Sequence, residues 1–447
     1  MVVAAGAGYD EVTHIPWGGR MRWEQKVQYA SLSDVGMRRQ NNEDSYAIQV
    51  SQSEEEFLRR GHLFLVADGM GGHAVGELAS QIASETIPHT YFKSPLPDPR
   101  ISLQSAVVAA NRAIFEKGEQ NKEFQRMGTT CSVLTLTPKG AILGHVGDSR
   151  CYRIRRDRID QLTFDHSLEW EMRRRDGKAA EKLDFSNHRN IILRSLGPEP
   201  TVQVDLEGPF LVLPEDTFLL CSDGLSNQLS DSEIGAIVRE LSPSQSCRLL
   251  IQLANLRGGP DNSTVVIARV GELPANVPPP PEPEEESPSA LGWMWLAAFW
   301  FMSLAIVGGI TLWLFGNPWV GVSLTGLSST GMVILLLKAL SIQREAELRL
   351  RANADLSRTN LSRPYRTAVS LSSSELLQLL VDVESGLRRS ATEENWSIDL
   401  KAHHEAIAAA EQAQRDKRFG RGCRDMARAI DTLMIQMPKS GTRAESV

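Results

Sequence analysis

Four aspartates at the borders of apolar, strand-like segments are the residues of this chain whose type and spacing could do chemistry. Three of them follow such a segment and the fourth precedes one: Asp68, Asp148, Asp223 and Asp261. Carboxylates that converge on one edge of a sheet repel one another strongly unless cations lie between them. Oxygen ligands without a Cys or His pattern favour a hard cation such as Mg²⁺ or Mn²⁺ over zinc. The pattern therefore predicts a metal-assisted hydrolase.

Each acid taken alone also fits a simple turn, because Asp and Gly are favoured in turns. The motifs around the acids favour a functional site, since they form an ordered series along the chain. These motifs lie at residues 33–45, 68–73, 128–130, 147–150, 165–167, 194–197, 222–224 and 261–262. The series resembles the metal-dependent serine/threonine protein phosphatases of type 2C, in their bacterial form, over residues 24–272.

That resemblance implies an α+β fold, a four-layer α-β-β-α sandwich of two antiparallel sheets flanked by helices. The sequence supports these layers independently, because apolar or alternating segments of strand length recur at residues 27–31, 63–67, 131–137, 141–146, 151–155, 217–221 and 265–270. Helical spacing is found at 75–87, which we expect to end before Pro88, and at 103–117. Hairpin-joined strands with helices in separate blocks favour α+β layers over a doubly wound parallel sheet.

The resemblance also implies a site for two or three ions of Mn²⁺ or Mg²⁺. Asp68 matches the carboxylate that bridges the two catalytic metals, and the Gly69 carbonyl matches an oxygen that binds one of them. Asp223 and Asp261 match the acids that hold the other metal. The implied reaction is attack on phosphorus by a hydroxide that bridges the two metals.

Three further acids have implied roles that the sequence leaves less defined. Glu43 and Asp44 match an acidic pair, and the sequence does not decide which carboxylate ligates directly and which acts through water. Asp148 matches the ligand of a third, more weakly held metal.

Arg39 matches a catalytic arginine that binds phosphate, a role for which a planar guanidinium is suited. Met70 stands where eukaryotic relatives carry a histidine proposed as general acid, so the source of the leaving-group proton stays open. His73 is nearby, and we interpret it as structural. Residues 165–200 resemble the mobile flap beside the active site. The basic run 173–178 within it either contacts acidic phosphopeptides or is a solvated helix end.

Composition limits the partners and the compartment. The net charge is −7 and the isoelectric point is about 5.8, which argues against nucleic acid as a partner. The five cysteines are scattered without a metal-binding or secretory spacing, which predicts reduced thiols in a cytoplasmic domain. Residues 1–23 are interpreted as a disordered leader.

The region after residue 272 predicts a membrane anchor. A Pro/Glu-rich linker covers 273–290, and largely apolar segments at 291–315 and 320–340 predict a transmembrane helical hairpin. Lys and Arg follow the second segment, so the phosphatase domain and the tail 341–447 are both expected in the cytoplasm, on a two-span protein of the cell membrane. Ser372 and Glu375 form a capping box that opens a tail helix. The α-helical tail is expected to be a small bundle or to mediate self-association.

The leading hypothesis is a membrane-anchored protein phosphatase that acts on phosphorylated proteins, namely bacterial serine/threonine kinases or their substrates. The alternative is a catalytically weak, phosphatase-like domain that serves as a sensing or binding module. A third reading keeps the chemistry but changes the substrate to a phosphorylated small molecule or an anti-sigma-factor-type partner. Turnover with Mn²⁺ and the nature of the substrate discriminate among the three.

Overall fold

The computed structural model describes residues 27–72, 74–124, 126–176, 191–271, 290–316, 319–320, 322–329, 364–393 and 400–435. The chain divides into two compact units, one comprising residues 1–274 and 361–447 and the other residues 275–360. The predicted leader, His73 and the centre of the flap, 177–190, lie outside the described residues, as does all but the last residue of the linker 273–290.

Two antiparallel sheets form the centre of the first unit. The strands are β1 (Val27–Asp34), β2 (Asp44–Gln49), β3 (His62–Met70), β4 (Gly128–Thr129), β5 (Cys131–Thr137), β6 (Gly140–Val146), β7 (Arg150–Arg155), β8 (Arg158–Gln161), β9 (Asp205–Phe210), β10 (Thr217–Cys221), β11 (Ser263–Val270) and β12 (Arg366–Val369). The first sheet has the order β1-β11-β10-β7-β8-β12. The second has the order β2-β3-β5-β6-β9, with β4 paired to β3. Every strand that the sequence predicts is present.

Among the described residues, the α-helices with defined bounds are α1 (Glu54–Arg60), α2 (Ala74–Lys93), α3 (Pro99–Gln120), α4 (Leu168–Asp176), α5 (Asp223–Ser226), α6 (Asp231–Glu240), α7 (Pro243–Leu256), α8 (Ala290–Leu314), α9 (Ser373–Glu393), α10 (Leu400–Arg415) and α11 (Phe419–Ile435). Side chains of α2 and α3 share a core with the second sheet, and those of α6 and α7 share one with the first sheet. A third core lies between the sheets.

The alternation of side chains along β3 explains how these cores are divided. Leu63 and Leu65 belong to the core shared with α2 and α3, whereas Phe64 and Val66 belong to the core between the sheets. Successive side chains of a strand point to opposite faces, so a strand buried on both faces reads as an unbroken apolar run. Asp68 continues the series of Phe64 and Val66, and its carboxylate is therefore directed to the space between the sheets.

The prediction that the second helix ends before Pro88 is wrong. Pro88 lies inside α2, which continues to Lys93. Ile87 before the proline and Tyr91 after it are both fully buried. Their burial in the core offsets the backbone hydrogen bond that proline cannot donate.

The described part of the tail, residues 364–393 and 400–435, belongs to the first unit, and we call it the C-terminal module. Its strand β12 pairs antiparallel with β8 and so becomes the edge of the first sheet. Leu376, Leu380 and Ile430 are buried in the same core as Ile237 of α6 and Leu250 of α7. The module thus forms an additional helical layer over α6 and α7.

The predicted membrane hairpin at 291–315 and 320–340 is wrong. Within the part of the chain that the structure describes, no helix combines the length and the apolar character that a membrane crossing requires. The second predicted span is described as helical only at 319–320 and 322–329. The predicted localisation as a two-span protein of the cell membrane is wrong for the same reason.

Candidate metal centre

Strand pairing brings the first two acids of the site together. In the register of β2 and β3, Asp44 lies directly opposite Asp68. Asp44 has the same alternation as Tyr46 and Ile48, which pack against the core between the sheets. Like charges directly opposite each other destabilise a sheet, so this pairing requires a compensating interaction.

The backbone of Asp68 is held in place by the segment between β4 and β5. The Asp68 amide donates to the Thr130 hydroxyl at 2.9 Å, and the Asp68 carbonyl accepts from the Thr130 amide at 2.8 Å. The Thr129 hydroxyl also donates to that carbonyl, at 2.9 Å. The carboxylate therefore projects from a fixed platform.

Asp223 and Asp261 come from the facing sheet. Asp223 begins α5, directly after β10, and Asp261 precedes β11. Between the sheets, the Ser222 hydroxyl donates to Asp44 Oδ2 at 2.7 Å and accepts from the Thr264 amide at 2.9 Å. This buried hydroxyl ties β2 of one sheet to β10 and β11 of the other, and so places Asp44 beside Asp223.

Asn262 closes the same edge from the loop side. Its Oδ1 accepts from the Glu43 amide at 2.9 Å, and its Nδ2 donates to the carbonyls of Val35 and Asn41, each at 2.9 Å. The loop that carries Arg39 is thereby fastened to the start of β11. Sequence reasoning did not assign Ser222 or Asn262 a role, although each is a polar residue directly beside a predicted metal ligand.

The acids of the site resist ionisation because they are buried and close together. Burial, followed by repulsion from Asp44, Asp223, Asp148 and Asp261, raises the pKa of Asp68 well above its usual range. Burial raises the pKa of Asp44 to about 7, with further repulsion from Asp223 and Asp261. The pKa of Asp223 is raised to about 6, first by burial and then by Asp261. Such carboxylates carry full negative charge readily only when positive charge lies among them.

Asp148 lies beside this cluster. Burial, followed by repulsion from Asp223 and Asp165, raises its pKa to about 8. Its Oδ1 atom is buried and has no hydrogen-bond partner among the described residues. A buried carboxylate oxygen without a partner is costly, and a cation would satisfy it.

Gly69 provides backbone rather than a side chain. A Cβ atom at this position would lie 2.2 Å from the Gly76 carbonyl oxygen and 2.5 Å from that of Glu43. The Gly69 amide donates to the Glu43 carbonyl at 3.1 Å. No side chain fits here without moving backbone, which agrees with a predicted role for the Gly69 carbonyl.

The structure separates the two members of the first acidic pair. Asp44 faces Asp68, whereas the Glu43 carboxylate lies against the first turn of α2, where a Cβ atom on Gly76 would come 2.1 Å from Glu43 Oε2. Negative charge is stabilised at a helix N-terminus. The geometry therefore favours Asp44 over Glu43 as the acid that faces the cluster.

Arg39 lies at the mouth of the site. Its Nη2 atom is 2.9 Å from Asp261 Oδ2, and the arginine side chain is 48% exposed. It is thus accessible from solvent and in contact with the acids. In the flap helix α4, Arg173 pairs with Glu169 and Arg174 with Glu171.

The chemistry of these residues fits hard divalent cations. Within the described ranges, no three acids, histidines or cysteines are already grouped as a closed ligand set. The fit rests instead on mutually repelling buried carboxylates from two sheets and on the unsatisfied Asp148 Oδ1. Oxygen donors of this kind suit Mg²⁺ or Mn²⁺.

Comparisons with known proteins agree with this chemistry. A family model described as Protein phosphatase 2C matches residues 37–250. The protein phosphatase PhpP of Streptococcus pneumoniae is 33% identical over 250 residues, which cover 55% of this chain and 98% of that protein. The serine/threonine protein phosphatase PstP of Mycobacterium tuberculosis is 36% identical over 249 residues, 55% of this chain and 45% of that protein, so the match spans about half of PstP. The crystal structure of serine/threonine phosphatase Stp1 from Staphylococcus aureus aligns at 28% identity with a TM-score of 0.50, over 57% of this chain and 99% of that one.

Proposed function

This chain belongs to the protein phosphatase 2C family, and on that basis we propose that it hydrolyses phosphoserine and phosphothreonine in proteins with the help of Mn²⁺ or Mg²⁺. Members of this family are metal-dependent phosphoric monoester hydrolases. The observation that carries the proposal is the convergence of Asp44, Asp68 and Asp223 from two sheets, with pKa values raised by burial and mutual repulsion.

The residues divide between metal binding and substrate binding. Asp68 would hold both catalytic ions, the Gly69 carbonyl would bind one of them, and Asp223 and Asp261 would hold the other. Asp148 would bind a third ion. When bound, the ions supply the Lewis acidity that activates water and offsets charge on the phosphoryl group.

Arg39 would bind the phosphate of the substrate. Its guanidinium contacts Asp261 at 2.9 Å and is half exposed, so it reaches both the acids and the incoming phosphate. A planar guanidinium can contact two phosphate oxygens at once. Met70 carries no acidic proton, so the leaving serine or threonine would take its proton from water.

The test removes one charge at a time without changing side-chain shape. Asp68→Asn and Asp223→Asn should each lower turnover of an aryl phosphate with Mn²⁺ by about a thousandfold or more, because the first removes the carboxylate expected to hold both cations and the second removes a ligand of one of them. The matched control is Asp425→Asn, which changes a buried acid in α11 outside the site and should remain active. The affinity for Mn²⁺, measured by calorimetry, should be lower in the two site variants and unchanged in the control.

Two results would contradict the proposal. Activity of either site variant within about tenfold of the parent corresponds to only about 1.4 kcal/mol and would remove that acid from the metal site. A parent protein that binds Mn²⁺ and a phosphothreonine peptide without turnover would support the sensing or binding module instead. Turnover of the aryl phosphate but of no phosphopeptide would favour a small-molecule substrate.

A further inference from the structure

Tyr365 joins the C-terminal module to both sheets of the first unit. Its amide donates to the Gln161 carbonyl of β8 at 2.9 Å, next to the β8–β12 pairing. Its hydroxyl donates to Glu207 Oε1 of β9 at 2.5 Å. One residue at the start of the module therefore contacts β8 of the first sheet and the edge strand β9 of the second.

The ring of Tyr365 also packs on the root of the flap. Its centroid is 5.5 Å from that of Phe164, the residue directly before the flap. Phe164 in turn makes an edge contact of 5.3 Å with Trp170 on α4, and the Arg174 guanidinium lies 5.5 Å from the Phe164 ring. Phe164 is thus held between the module on one side and the flap helix on the other.

The flap root is connected to the metal site by polar contacts. Gln161 Nε2 donates to Asp165 Oδ1 at 2.8 Å, and Asp165 pairs with Arg150 at 2.7 Å. His166 exchanges hydrogen bonds with Gly147, the residue before Asp148: its amide donates to the Gly147 carbonyl at 2.7 Å, and its Nδ1 accepts from the Gly147 amide at 3.0 Å. These contacts anchor residues 165 and 166 beside the site without involving Phe164 or Tyr365.

The module lies outside the residues that the family model matches. The family model ends at residue 250, and the pneumococcal relative is covered almost completely by 250 aligned residues. The contacts of Tyr365 with Phe164 and Glu207 are therefore an addition to the aligned domain.

We propose that Tyr365 is a positioning residue for the flap, through which the C-terminal module holds the phosphopeptide-binding side of the site in place. This inference rests on the proposed function. Tyr365 does not touch the reacting atoms. It fixes Phe164, and Phe164 fixes α4, so its loss should weaken binding of a peptide that contacts the flap. A small aryl phosphate occupies only the metal centre and should not be affected.

The test uses the full chain with Tyr365→Ala, Tyr365→Phe and the matched control Thr367→Val. Thr367 lies on β12, two residues after Tyr365, and donates to Asp160 at 2.7 Å, so Thr367→Val removes a β12 contact that is separate from the flap. Tyr365→Ala should raise KM for a phosphothreonine peptide by at least about threefold with kcat unchanged, because the lost interaction is present in both ground and transition states. Tyr365→Phe retains the ring and should show a smaller rise.

Hydrogen exchange provides a readout that does not depend on catalysis. Amides of 164–176 should exchange faster in Tyr365→Ala than in the parent, while those of α9 and α11 stay unchanged and Thr367→Val matches the parent throughout. Both constants for the aryl phosphate should be unchanged in every variant.

Each other outcome has a defined meaning. Unchanged peptide KM and unchanged exchange at 164–176 in Tyr365→Ala would overturn the inference. So would a fall in kcat for both substrates with faster exchange across the whole module, because that pattern indicates general destabilisation. A parent protein without turnover would contradict the proposed function alone, and the exchange comparison would still decide whether Tyr365 positions the flap.

Discussion

Asp44 and Asp68 face each other across β2 and β3. The Ser222 hydroxyl donates a hydrogen bond directly to the Asp44 carboxylate of that pair. Ser222 is fully buried and bridges the two sheets through Asp44 and the Thr264 amide. Individual residues of this site are thus held by partners from the opposite sheet. Elsewhere in the first unit, Glu207 of the second sheet accepts a hydrogen bond from Tyr365, the residue before β12.

Glu207 gives a pH-dependent prediction. Burial raises its pKa to about 7, even though the Tyr365 hydroxyl donates to its carboxylate. The folded protein therefore holds this proton more tightly than the unfolded chain. The stability that depends on the proton is fully present below the unfolded pKa of about 4.5 and is lost as pH rises through about 7. Glu207→Gln, which stays neutral, should consequently lose less stability than the parent between about pH 5 and about pH 8.

The measurement is the urea midpoint of both proteins across that range, at one fixed metal concentration. If the urea midpoints of the parent and Glu207→Gln changed with pH in parallel, the Glu207 carboxyl group would be ionised in the folded protein across that whole range, and the prediction would be wrong.

Among the elements, the helices of the C-terminal module show how local signals and packing act together. The capping box predicted at Ser372 is confirmed, since the Ser372 amide donates to Glu375 Oε2 at 2.8 Å and the Glu375 amide donates to the Ser372 hydroxyl at 3.3 Å. Apolar residues at helical spacing also line one face of α9, where Leu376, Leu380 and Leu387 are buried. α2 behaves differently, because packing of Ile87 and Tyr91 carries it through Pro88.

Ser372→Ala should destabilise the first unit by about 1 kcal/mol, because it removes the side-chain cap of α9. Urea unfolding of the full chain measures the loss. Thr392→Ala is the matched control: Thr392 donates to the Arg388 carbonyl near the other end of the same helix, and its replacement should change stability by less than about 0.5 kcal/mol. Equal effects of the two substitutions would mean that the capping box contributes nothing specific to α9.

At the scale of the whole molecule, the first unit is discontinuous in sequence, since residues 275–360 separate β11 from β12. Polar contacts as well as the shared core tie the two parts together. Arg239 of α6 donates to the Leu371 carbonyl at 2.9 Å, and Gln252 of α7 donates to Asp431 at 2.8 Å. The module is therefore part of the folded unit that contains the site.

A chain that ends at Pro274 should be markedly less stable than the full chain, because the apolar surfaces of Ile237 and Leu250 would lose the module that covers them. The expected signs are a lower Tm and binding of a hydrophobic dye. The matched control replaces residues 275–360 with a flexible linker of about 20 residues and keeps the module. It should unfold like the full chain. A chain ending at Pro274 with the Tm of the full chain would show that the module adds no stability to the domain.

The sequence by itself determined which acids to consider and which segments become strands, because both signals are local. Asp68 and Asp223 each follow an apolar run, and a strand buried on both faces produces such a run whatever it pairs with. Only the tertiary structure decided that Asp44 rather than Glu43 faces Asp68. Adjacent strand residues point to opposite faces, and the register with β3 selects the face. The short strand β12 has too few residues for a local signal, so its pairing with β8, and with it the contact of Tyr365 on the flap, depends on residues about 200 positions apart in the chain.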